Sequence, residues 1–229
     1  MTGSKATGLF ITGTDTDVGK TTVALGLIEA LKEKGLRVGV MKPVSAGCKQ
    51  TSDGLRNEDA VMLVKQASVD FPYETINPYA FEPSVAPHIA AAEAGIAIDI
   101  EVIRECYIKV AEKVDVVVVE GAGGWLVPIN ENETMADVAK ALSLDVITVV
   151  GIRLGCLNHA LLTSQSITAS GLKHCGWIAN HLYAGTESAA ENINTLRARI
   201  QAQLLDEIEY MEDKKQATMS GYFDSSRVL

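Results

Sequence analysis

The stretch Leu9-Phe10-Ile11-Thr12-Gly13-Thr14-Asp15-Thr16-Asp17-Val18-Gly19-Lys20-Thr21-Thr22 decides the fold. Its first four residues make a short run suited to a buried strand. Its middle is rich in Gly, Thr and Asp, and over residues 22–34 apolar residues recur with helical spacing until Gly35 ends the pattern. Strand, Gly-containing loop and helix in that order form the setting in which backbone N–H groups and a helix N-terminus cradle phosphates. In such a loop Lys20 reaches the β- and γ-phosphate oxygens and the Thr21 hydroxyl ligates Mg²⁺. The spacing is a variant one, because five residues separate Gly13 from Gly19 and Thr14 stands where the first Gly is expected. A turn that merely reverses the chain would account for the glycines but not for Gly-Lys-Thr-Thr at a helix start.

Working outward, residues 36–41 read as a second strand and 58–67 as a helix. Residues 114–119 form a nearly continuous Val run, suited to a parallel strand covered on both faces, and 146–150 repeat the signal. Helical patterns at 100–112, 134–142 and 158–170, a strand at 176–179 and a long amphipathic helix from Ser188 complete the alternation. This predicts one α/β domain spanning residues 1–229: a doubly wound, mainly parallel sheet with helices on both faces, of P-loop NTPase type. Residues 71–87 hold four of the six prolines and predict a long surface loop. Residues 213–229 are polar and weakly patterned.

The chain's 47% hydrophobic content suffices for a substantial core. Its net charge of −9 argues against nucleic acid as a partner, since neutralising phosphates needs a surplus of Lys and Arg. Cys48, Cys106, Cys156 and Cys175 are scattered and contain no C-x-x-C pair, which suggests neither zinc nor a disulfide framework. No window approaches the ~20 apolar residues that span a bilayer. These features lead to the expectation of a cytoplasmic protein with no membrane partner.

A phosphate site needs further carboxylates for its metal. Glu120 follows the Val run and precedes Gly121-Ala122-Gly123-Gly124, a placement at the carboxyl edge of the sheet that fits Mg²⁺ ligation. Lys42, after the second strand in Met41-Lys42-Pro43-Val44, projects at the same edge. Taken alone, Lys42 reads as a solvated lysine, and Asp59 is equally uncommitted.

Together the segments G-T-D-T-D-V-G-K-T, K-P-V, G-L-R-N-E-D, V-E-G-A-G-G-W, R-L-G-C-L-N-H-A and G-W-I-A-N resemble, in order over about residues 10–180, those of the dethiobiotin synthetase family. The resemblance implies an ATP-dependent ring closure on 7,8-diaminononanoate with CO₂, by way of a carbamate and its mixed anhydride with phosphate, in a Mg²⁺-using homodimer. It assigns Thr16, Asp17, Val18, Gly19, Lys20 and Thr21 to the phosphates, and Thr21, Asp59 and Glu120 to Mg²⁺. Gly121, Ala122 and Gly123 border the nucleotide. Lys20 and Lys42 serve as catalytic cations, and Asn180, His181, Glu209, Tyr210 and Met211 meet adenine. Ser45 contacts substrate, whose carboxylate lies near Leu154, Gly155, Cys156 and Asn158 of the partner subunit. Two departures stand out: Ser45-Ala46-Gly47, where the family has its hydroxyl residue directly before the Gly, and Glu209, where it has Pro. His88 and Trp125 read more simply as structural residues.

A partitioning or scaffold ATPase switch is the competing reading of the loop. The Lys-Pro-Val and Glu-Gly-Ala-Gly-Gly-Trp segments and the acidic loop argue against it. A GTPase would carry Asn-Lys-x-Asp where this chain has Asn180-His181-Leu182.

Overall fold

The computed structural model describes residues 6–210. Strand β1 (Thr7–Gly13) leads into helix α1 (Lys20–Glu33) and then β2 (Val38–Met41). Shorter pieces follow: β3 (Val44–Ser45), a hairpin of β4 (Lys49–Thr51) and β5 (Gly54–Arg56), α2 (Glu58–Gln66), α3 (Tyr73–Ile76), β6 (Tyr79–Ala80) and α4 (Pro87–Glu93). Regular alternation then resumes with α5 (Ile100–Ala111), β7 (Val116–Gly124), α6 (Met135–Ala141), β8 (Asp145–Ile152), α7 (Cys156–Ala169), β9 (His174–His181), α8 (Ala189–Arg199) and β10 (Gln203–Ile208).

The central sheet runs β10-β9-β8-β1-β7-β2, and every pairing in it is parallel. Successive residues of a strand point to opposite faces, so the unbroken burial of β2 and of nearly all of β8 means that both faces are covered by packed helices. The Val run of β7 lies deepest, and each such side chain contributes about 1.5–3 kcal/mol on leaving water. The helices fit this arrangement locally. In α5 the buried residues Ile100, Ile103, Tyr107 and Val110 fall on one stripe, and Asp99 caps its first turn. In α6, Thr134 and Asp137 form a reciprocal capping box.

β1 lies between β7 and β8, while its helix α1 leads to β2 beyond β7 and the later strands build outward on the other side. The winding direction reverses there, so the crevice beyond the carboxyl end of β1 is the place such a sheet offers a ligand.

Three expectations are corrected. Residues 71–87 are not simply a surface loop: they contain α3 and β6, and Ile76, Asn77 and Phe81 are buried, because β6 pairs with β3 and Tyr79 and Phe81 continue that hydrogen-bonding. The helix from Ser188 is not long. It ends at Arg199 and gives way to β10, which pairs with β9 at the sheet edge. Glu120 is not at the end of its strand, because β7 continues through the glycines to Gly124, where it rejoins β1 at Gly13 after a register shift.

Candidate active site

The loop between β1 and α1 is fixed from below. Thr14 N–H donates to the Val149 carbonyl of β8. Asn180, 2% exposed at the end of β9, donates from Nδ2 to the Val18 carbonyl at 2.8 Å. Gly19 has φ 92°, and a Cβ there would lie 2.2 Å from Asn180 Nδ2, so both backbone conformation and close approach require glycine. Asp17 also adopts a left-handed conformation, at φ 59°, which short polar side chains tolerate better than others. Two left-handed positions, Asp17 and Gly19, thus shape the turn into α1. Asp15 pairs with Arg153, which follows β8, while its carbonyl accepts from Lys20 Nζ at 3.0 Å. Arg153 opens the R-L-G-C-L-N-H-A segment, but nothing in the sequence assigns it this partner.

The loop opens onto a cleft of about 1220 Å³. Thr16, Asp17, Gly19, Lys20 and Thr21 line one side, and Lys42, Ser45, Asp59, Glu120, Ala122 and Gly123 line the other. With Ser84 to Pro87 also in its wall, the cleft gathers residues from five separate segments of the chain. Val18 and Asn180 are buried beneath it instead.

At its centre Lys42 is 4% exposed and Glu120 1% exposed. Lys42 Nζ donates to Glu120 Oε1 at 2.6 Å and lies 3.1 Å from Asp59 Oδ2. Burial works against the Lys42 ammonium, but the two carboxylates outweigh it and hold its pKa above the ordinary lysine value. The sequence alone made a solvated Lys42 the simpler choice, and the structure overturns that. Removing one partner of such a buried pair is costly, on the order of 3–5 kcal/mol, because the other charge is left uncompensated. Lys20, also buried, is lowered to about 8 by desolvation and by the nearby charge of Lys42, with Glu120 opposing. The site therefore holds two lysines in one polar niche.

Thr21 Oγ1 donates to Glu120 Oε1 at 2.9 Å, leaving Glu120 Oε2 buried without a hydrogen-bond partner. A buried carboxylate oxygen in that condition is costly unless a cation or donor meets it. With the Thr21 hydroxyl and the half-exposed Asp59 carboxylate it makes a hard oxygen donor set, which fits Mg²⁺. Asp59 is presented by the first turn of α2, which Asn57 caps by accepting from Ala60 N–H.

Ser45 borders the cleft but is buried, with its hydroxyl donating to Asn77 Oδ1 at 2.8 Å. The remaining expected residues lie elsewhere. His181 pairs with Glu207 at 2.9 Å, and Glu209 lies close to both, beside the carboxyl ends of β9 and β10. Tyr210 is exposed, and Met211 lies outside the described residues. Leu154, 99% exposed, Gly155 and Asn158 sit on the surface at the start of α7, with Cys156 buried beneath them, outside the lining of their own chain's cleft. Trp125 is buried edge-to-face on Phe10, a packing role, while His88 Nδ1 is buried without a partner.

A parallel sheet whose switch-point strand ends in a glycine-pinned loop around a buried lysine defines a P-loop α/β protein built to hold nucleotide phosphates. Solved structures support the fold alone: the MinC:MinD cell division protein complex of Aquifex aeolicus matches 90% of this chain and 82% of that one at TM-score 0.58 and 16% identity. Chloroplast FtsY of Physcomitrella patens matches 98% and 64% at TM-score 0.54 and 19% identity. A family described as AAA domain matches residues 7–218. Among curated relatives, the ATP-dependent dethiobiotin synthetase BioD of Pseudomonas aeruginosa is 44% identical over 216 residues, 94% of this chain and 95% of its own length. That of Aeromonas hydrophila is 45% identical over 221 residues, covering 96% and 98%. The chain belongs to the ATP-dependent dethiobiotin synthetase family.

Proposed function

We propose that this protein converts 7,8-diaminononanoate, CO₂ and ATP into dethiobiotin, ADP and phosphate in the cytoplasm, as a homodimer using Mg²⁺. One observation carries the reading beyond family membership: Lys42, gripped by Asp59 and Glu120, shares the cleft with Lys20 of the phosphate loop.

The chemistry asks for this arrangement. A substrate amine adds to CO₂ and loses a proton to give a carbamate, whose oxygen is a poor leaving group. The carbamate oxygen then attacks the γ-phosphorus of ATP and expels ADP. The second amine attacks the carbamate carbon, the C–O bond to phosphate breaks, and loss of a proton leaves the cyclic urea. The second step brings two anions together, so cations must line the path in a partly dry cleft. Lys20 binds the β- and γ-phosphate oxygens, and Lys42 bridges the γ-phosphate and the carbamate. The free N–H groups at the start of α1 add to the positive potential. Thr21, Asp59 and Glu120 would hold Mg²⁺, which when bound neutralises phosphate charge.

Two further assignments complete the proposal. His181, Glu209, Tyr210 and Met211 border the adenine, beyond the loop strut made by Asn180. The exposed segment 154–158 of one subunit receives the substrate carboxylate at the cleft of the other, using the unengaged N–H groups where α7 begins. Among the described residues no helix is long and apolar enough to cross a membrane.

The test is direct. Purified protein supplied with Mg·ATP, bicarbonate and diaminononanoate is expected to form dethiobiotin, seen by mass spectrometry, with one ADP per product. Properly folded protein that binds ATP yet forms no dethiobiotin would overturn the proposal.

A further inference from the structure

Lys42 directly follows β2, and its side chain can face the cleft only if its backbone is held still. Both of its backbone groups are held from one place. Lys42 N–H donates to the Ile76 carbonyl at 2.9 Å, and the Lys42 carbonyl accepts from Asn77 Nδ2 at 2.6 Å. Asn77 is 3% exposed and does not border the cleft.

Its amide is completely engaged. Nδ2 also donates to the Tyr79 carbonyl at 3.3 Å, while Oδ1 accepts from the Ser45 hydroxyl at 2.8 Å and from the Tyr73 hydroxyl at 3.0 Å. That exhausts the capacity of an asparagine for one strong bond per hydrogen and per lone pair. The Tyr73 oxygen in turn accepts from Asn57 N–H at 2.8 Å. Asn57 is the cap of α2, whose first turn carries Asp59, and its own Nδ2 reaches the Ala46 carbonyl at 3.3 Å. One continuous, partly buried network therefore runs from the backbone of Lys42, through Asn77 and Tyr73, to the helix that presents its carboxylate partner.

We propose that Asn77 is a positioning residue, which through Tyr73 and Asn57 fixes the Lys42 ammonium and the Asp59 carboxylate relative to each other. It touches neither nucleotide nor substrate. Lys42 has a long flexible stem, and the two residues lie on separate elements, so their separation of 3.1 Å depends on how those elements are joined. A displacement of an ångström at a transferring group can cost on the order of 10² in rate. The Ser45 hydroxyl, one residue before the position where the family has its hydroxyl residue, serves the same hub.

The inference rests on Lys42 acting at the transferring phosphoryl group, so the experiment includes Lys42→Ala. Tyr73→Phe removes one hydroxyl from the network and keeps the ring, including its contact with the Arg56 guanidinium at 4.1 Å. It is expected to lower kcat at least about threefold, the scale of one net hydrogen bond, while KM for ATP changes less than about twofold. Asn77→Ala is expected to lower kcat about tenfold or more with a similarly steady KM for ATP, because the phosphate loop is held by other bonds. The double variant is expected to match Asn77→Ala alone, since both changes cut one chain of contacts.

Rates are taken per folded molecule, with folding followed by thermal melting. Wild-type kcat in folded Tyr73→Phe overturns the inference, and this variant decides the matter if Asn77→Ala does not fold. Additive losses in the double variant, or a loss confined to KM for ATP, also overturn it. Should Lys42→Ala itself retain wild-type turnover, the fault lies with the proposed role of Lys42. If Lys42→Ala is inactive and Tyr73→Phe is not impaired, only the inference about Asn77 falls.

Discussion

At the residue scale the site is an electrostatic arrangement of two buried lysines and two carboxylates, and its members are not equivalent. Lys42 is locked in its charged form by Glu120 and Asp59, whereas Lys20 is lowered to about 8 by burial and by Lys42 itself. Lys42→Ala is therefore expected to cut turnover on the order of 10² or more, through loss of charge at the transferring group. Steady-state rates under saturating ATP check this, and a loss seen only in KM would contradict it. Lys20 should impose a pH dependence. Only its protonated form attracts phosphate, and its free-state value is about 8, so kcat/KM for ATP should be steady below pH 8 and fall as pH rises through that value. Lys20→Arg, which stays charged throughout, should lose this inflection even if its absolute rate is lower. A pH profile at limiting ATP separates the two outcomes.

At the element scale, what the sequence disclosed was whatever a short segment can carry. The phosphate loop, the strand bearing Lys42 and the run leading to Glu120 were legible because residue type, spacing and strand-helix order lie within a few residues of one another. Asn77 was not legible, because it acts on a carbonyl 35 residues away, and Arg153 pairs with Asp15 across 138 residues. Nor was β10: Gln203-Leu204-Leu205-Asp206-Glu207-Ile208 has no strand pattern of its own, and the free edge of β9 imposes the extended form. The same dependence on neighbours governs His174, which begins β9 two residues before the G-W-I-A-N segment but is not part of it. Its ring lies between Thr148 Oγ1 at 3.0 Å and Ser164 Oγ at 3.4 Å, and burial lowers it to about 4. A histidine kept neutral by the fold contributes stability that is complete above its ordinary value near 6.5 and is lost as pH falls toward 4. Within that window the unfolding free energy should fall by up to about 1.4 kcal/mol per pH unit from this group. Urea denaturation at stepwise pH should show the slope, and His174→Gln should flatten it; an unchanged slope would clear His174 of the role.

At the scale of the whole molecule, the phosphate half of the site and the segment proposed to receive the substrate carboxylate do not meet within one chain. Leu154, Gly155 and Asn158 lie on the surface and do not line their own chain's cleft, with Leu154 almost wholly exposed. If two copies share their sites by two-fold symmetry, defects on the two walls should complement each other. Lys42→Ala spoils the phosphate wall. Gly155→Val spoils the other, because Gly155 has φ 91° with open space around its Cβ, so the harm comes from backbone strain alone and stays local. Each variant by itself should be nearly inactive. Mixed after subunit exchange, half of the dimers are heterodimers, and each of these combines one doubly defective site with one intact site. Activity should therefore recover to roughly a quarter of wild type at random two-fold pairing. Recovery should depend on exchange, appearing after co-incubation that permits dissociation and not on brief mixing of stable dimers. Absence of recovery, with heterodimers demonstrated by mass, would place both walls of the site in one chain.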